Sequence, residues 1–70
     1  MSSMTAKEIL ISNALAELEA VQEKRRHHLE AGRFRLADAF SVEVQKATNI
    51  LSFVSNLSDE DAKTVKRLLA

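Results

Sequence analysis

Apolar residues recur along this chain at helical spacing in three blocks. Place Leu18 at zero on a wheel of about 100° per residue. Ile11, Ala14, Leu15, Val21 and Leu29 then fall within about 60° of it, while Glu17, Glu19, Glu23, Lys24 and Glu30 fall outside. Ile9 lies on the far side with Ala16 and Ala20. This stripe predicts a first helix over residues 6–31. A second helix is predicted over residues 33–57, where Leu36, Phe40, Val44, Ala47, Ile50, Leu51 and Val54 share one face. That face is wide, because Ala39, Val42, Phe53 and Leu57 extend it on one side. A helix apolar over so broad an arc needs more than one neighbour to cover it. The third block, residues 59–69, carries Ala62, Val65, Leu68 and Leu69 at helical spacing.

Local signals agree with these bounds. Thr5 followed by Glu8 is a capping-box pattern. Ser58 followed by Asp59, Glu60 and Asp61 pairs a cap with acids in the first helical turn, and Lys66 and Arg67 suit the negative end of the same dipole. The only glycine, Gly32, follows Ala31 directly. Glycine just past a helix end is the commonest stop, so the chain is expected to fold back there as an antiparallel hairpin. The competing path is one long helix through Gly32. Leu29, Leu36, Phe40 and Ala47 stay nearly in phase with Leu18, and residue 33 opens no side-chain cap. Such a helix would carry Gln22, Arg25 and Gly32 along its seam. The hairpin is favoured because it buries both stripes within one chain. The expected fold is all-α, a single domain over residues 1–70 made of a hairpin and a short third helix.

Size changes what this fold has to do. Seventy residues bury only about 60% of the surface of the unfolded chain. No cysteine supplies a disulfide, and two histidines supply no evident metal staple. Association with another chain is the remaining way to enlarge the core. The docking strip expected for it is Ala39, Val42, Ile50, Phe53 and Leu57, facing another helix of a different protein or of a second copy.

Charged side chains suggest two further features. Arg25 and Glu43 lie near the middle of the two apolar faces. In a hairpin turning at residues 32–34 they fall opposite each other and are expected to pair, fixing register. In a straight helix they would stand about 27 Å apart. Lys24, Arg25, Arg26, Arg33 and Arg35 crowd near the turn with His27 and His28. Two readings follow: a solvated helix end, or a phosphate-binding tip on a homodimeric, nucleic-acid-binding bundle. Ten basic residues balance ten acidic ones, so no net field supports the second.

Catalytic chemistry is not indicated. No cysteine nucleophile and no glycine-rich phosphate loop occur. Asp38 and Glu43 do not share a helical face, and Ser41, Ser52 and Ser55 have no base within sequence reach. His27 and His28 are adjacent and point about 100° apart, unlike helical zinc ligands. The expectation is a non-enzymatic protein without metal or cofactor. No apolar run approaches a membrane span and no basic-then-apolar leader is seen, so the cytoplasm is expected.

The segment "LEAGRF" closing the first helix and "VQKATNILSFVSNL" closing the second carry a resemblance. They resemble, in architecture, the small helical-hairpin co-chaperones of bacterial type III secretion needle proteins, the YscE and PscE type. The likeness covers about residues 11–57 and leaves the third helix outside it. It implies a cytoplasmic protein that pairs with a larger TPR-like co-chaperone and keeps the needle subunit from polymerising early. "GRFRLA" is also similar to the turn inside tetratricopeptide repeats, but occurs once, and such repeats need neighbours.

Overall fold

In a computed structural model, which describes residues 3–69, the chain forms three helices: α1 (Ala6–Glu30), α2 (Phe34–Ser55) and α3 (Asp59–Leu69). The hairpin is formed: α1 and α2 pack along each other, and α3 folds back onto α1. At 44 × 25 × 19 Å the molecule is a rod, its radius of gyration of 14.7 Å exceeding the roughly 11 Å of a compact chain of this length. A rod has much surface for its volume, so the shape already limits what can be buried.

Each helix boundary has a local cause. The Thr5 hydroxyl oxygen accepts from the Glu8 amide at 3.1 Å, and the same hydroxyl donates to the Glu8 carboxylate. One amide otherwise left without a partner is thereby satisfied. At the other end of α1, the Gly32 amide donates to the Leu29 carbonyl at 3.1 Å and the Arg33 amide to the His28 carbonyl at 2.8 Å. These two bonds are the Schellman closure of a helix, and they need a left-handed residue between them. Gly32 supplies it with φ +76°. The chain passes straight from this turn into α2, whose first position carries no side-chain cap.

Helix α2 ends two residues earlier than its apolar spacing suggests. The Asn56 and Leu57 amides bond three residues back, to Phe53 and Val54, tightening the last turn. Asn56 Nδ2 donates to the Ser52 carbonyl, which its own amide would use if the helix continued. Ser58 then caps α3, accepting from the Asp61 amide at 3.1 Å.

The core is thin. Its buried members are Leu10, Ala14, Val21, Ala37, Ala47, Val54 and Ala62, and more than half of them are alanine. Small residues let the two long helices approach closely but contribute little apolar area. Leu10, Ala14, Val54 and Ala62 form the main cluster, flanked by Ala6, Ile11, Leu51, Leu57 and Val65. This cluster lies at the open end of the hairpin, where all three helices meet.

Two expectations about faces need correction. The face of α1 that packs on α2 is centred near Leu10, Ala14 and Val21, about 60° from Leu18. Leu18 is half-buried, while Leu15 and Leu29 are exposed. On α2, Leu36 and Ile50 are exposed, and Ala37, Ala47 and Val54 take the central positions. The alanines decide this rotation, because they permit a closer approach than leucines at the same seam.

Candidate functional site

Helix α2 has one face on α1 and an outer face open to solvent. Val42 is 56%, Ile50 54% and Phe53 57% exposed, with Ala39 exposed beside them. These four expected docking residues lie within about 80° of one another on the outer side of α2. The fifth, Leu57, does not belong with them. It lies beyond the end of α2 and is partly buried against the main cluster, near Ala62 and Val65 of α3. Helix α3 therefore seals the end of the core. It packs on α1 and leaves Phe53 open.

The expected Arg25–Glu43 pair is not formed. Arg25 Nε donates to Ser41 Oγ at 2.9 Å in a partly buried contact, and Ser41 also donates to the Ala37 carbonyl. Glu43 faces outward and pairs with Lys46 at 3.5 Å. The register of the hairpin is as expected to within two residues. The face is not, because residues 41 and 43 point about 200° apart and only Ser41 faces α1. A neutral hydroxyl accepting from a half-buried guanidinium also avoids taking a carboxylate out of water.

The basic cluster is brought near the turn but not onto one surface. Lys24, Arg25 and Arg26 are successive helical residues and spread over about 200°. Arg26 is held by Glu23 and Glu30, Arg25 by Ser41, and Arg33 by His28. Arg35 stands on the outer side of α2, away from these. Sequence reading took Lys66 and Arg67 only as partners of the helix dipole; with Lys63 they also line an open groove beside Ala6, where α3 crosses α1. Its signal was present in the polar side of the third block.

At the turn, His28, Arg33 and Phe40 form a small clasp. Arg33 Nε donates to His28 Nδ1 at 2.9 Å, and the imidazole stacks on Phe40 with ring centroids 5.3 Å apart. A guanidinium can only donate, so Nδ1 must carry its lone pair and the ring proton sits on Nε2. The His28 pKa is held below its ordinary value, first by lost solvation, then by the positive charge of Arg33 and of His27. The neutral ring is thus the folded form. Its stabilisation is complete above the unfolded value of about 6.5 and is lost as pH falls through the lower folded value. Thermal melting is expected at a lower temperature at pH 5 than at pH 7.5. His28→Gln, which still offers an oxygen to Arg33, is expected to flatten that slope. An unchanged slope in the variant would contradict the assignment.

Among the described residues no cluster of His, Cys, Asp or Glu is arranged to hold a metal ion, and no helix is long and apolar enough to cross a membrane. Comparison with protein-family models, with curated proteins and with solved structures found no match.

Proposed function

We propose that this chain is a non-enzymatic helical adaptor that docks a helix of a partner protein on the outer face of α2. The supporting observation is the row Ala39, Val42, Ile50 and Phe53, apolar and exposed on a helix whose opposite side is already packed. Single exposed apolar side chains are ordinary, but four on one helix face mark an interaction surface, here one that also carries the exposed Lys46 between Val42 and Ile50. A core this poor in large side chains also gains more from a partner than a full one does. The co-chaperone likeness gives the reading one concrete form, a cytoplasmic hairpin paired with a larger helical scaffold. The nucleic-acid alternative draws no comparable support, since the basic side chains near the turn diverge and Arg25, Arg26 and Arg33 are engaged within the chain.

Site-specific photo-crosslinking in the source cells tests this reading. A photoreactive residue replacing Phe53 is expected to give a discrete protein adduct. One replacing Thr48, about 140° around the same helix, is expected to give none. Equal labelling from both positions, or none from position 53, would remove the docking face.

A further inference from the structure

The exposed side of α2 repeats with a finer order than a strip. Leu36, Ala39, Glu43, Lys46, Ile50 and Phe53 are spaced alternately three and four residues apart, the a/d pattern of a coiled-coil seam. Leu36 is 47% exposed, Ile50 54% and Phe53 57%, and the side chains of Glu43 and Lys46 are 52% and 66% exposed. The seam is therefore free along about 26 Å of helix.

We infer that the partner of this face is a second copy of the chain, bound through α2 against α2 in antiparallel register about a twofold axis between Val44 and Gln45. The inference rests on the docking reading above. Inverting the helix about that midpoint sets Leu36 opposite Phe53 of the other copy, Ala39 opposite Ile50, and Glu43 opposite Lys46. Each layer is complementary. Leucine meets phenylalanine, the smallest side chain meets a large one, and the central acid meets a base. The same patch serves both copies, as a closed twofold interface requires.

The charged layer selects among arrangements. In a parallel pair Glu43 would face Glu43 and Lys46 would face Lys46, placing like charges together in the seam. In the antiparallel pair Glu43 is flanked by its own Lys46, already 3.5 Å away, and by the other copy's Lys46. Four charges then alternate in sign around the axis. A polar layer inside an apolar seam lowers stability and fixes register. The ends of the seam agree with its symmetry. The next position, Leu57, is turned inward against the core, and its counterpart by inversion is Gly32, which has no side chain.

The test is light scattering on the eluting full-length chain, with circular dichroism on each variant. The wild type is expected at twice the 7.8 kDa chain mass. Glu43→Lys and Lys46→Glu each create two like-charge contacts and are expected to weaken dimerisation by about tenfold or more. The double swap E43K/K46E restores opposite charges in every contact and is expected to recover the dimer. A wild-type chain that stays monomeric at about 500 μM overturns the inference, as do single reversals that dimerise like the wild type; the former concentration lies far above the range of a specific interface. The docking reading is judged separately by the position-53 adduct. An adduct with a different protein, from a monomeric chain, would sink the dimer and leave the adaptor.

Discussion

Leu10→Ala should cost about 3 kcal/mol, the largest stability loss expected from any single truncation in this chain. Leu10 is 6% exposed and is the only buried leucine among the described residues. It sits where α1 meets Val54 of α2 and Ala62 of α3, so its removal opens a cavity that three helices share. Leucine-to-alanine changes at such positions cost about 2–5 kcal/mol, combining lost transfer energy with the cavity left behind. A domain of this length has roughly 4–10 kcal/mol in total. With a urea slope near 1 kcal/mol/M, the midpoint should fall by about 2–3 M while the slope holds. Leu15→Ala is the control. Leu15 is 41% exposed, and its truncation is expected to cost under about 1 kcal/mol. If the two variants lose equal stability, the rotation of α1 described above is wrong.

That rotation also shows where sequence reading stops. The three helices were legible because their ends are written in local chemistry: Thr5 with Glu8, Gly32 after Ala31, Ser58 before three acids. Hairpin register followed from the position of the turn alone. Which side of α1 faces inward was not legible, since periodicity weighs a leucine above an alanine while close helix packing favours the alanine. Ala37 and Ala62, both 0% exposed, are the most buried of the described residues; the third apolar stripe included Ala62, but no apolar count singles out Ala37. Arg25 illustrates the same limit. Its longitudinal position was read within two residues, but a two-residue step turns a helix by about 200° and exchanges Glu43 for Ser41. The docking of α3 was ambiguous for another reason. Its apolar stripe fits either long helix, and the fold shows that it packs on α1.

The outer strip of α2 was legible in outline, because an arc wider than one neighbour can cover is a property of the spacing itself. Val42 and Phe53 are its most informative members: both are more than half exposed, so replacing them should leave the isolated fold intact. Exposed substitutions away from caps and core usually change stability by less than about 0.5 kcal/mol. In a complex the same positions are expected to lie against apolar side chains. An aspartate there would lose contact area and place an unpaired carboxylate in a dry interface, for a combined cost of about 3–5 kcal/mol or roughly 100-fold or more in affinity. The double variant V42D/F53D should therefore separate folding from binding more sharply than any core substitution can.

Fluorescence-detected sedimentation of the labelled chain in extract of its source cells brings these expectations to a single readout. The wild-type chain should sediment as a species clearly heavier than 7.8 kDa, and V42D/F53D should sediment as a helical monomer. A wild-type chain that runs at its own mass, or a double variant that keeps the heavier species, would contradict the claim that the outer face of α2 is where this protein meets its partner.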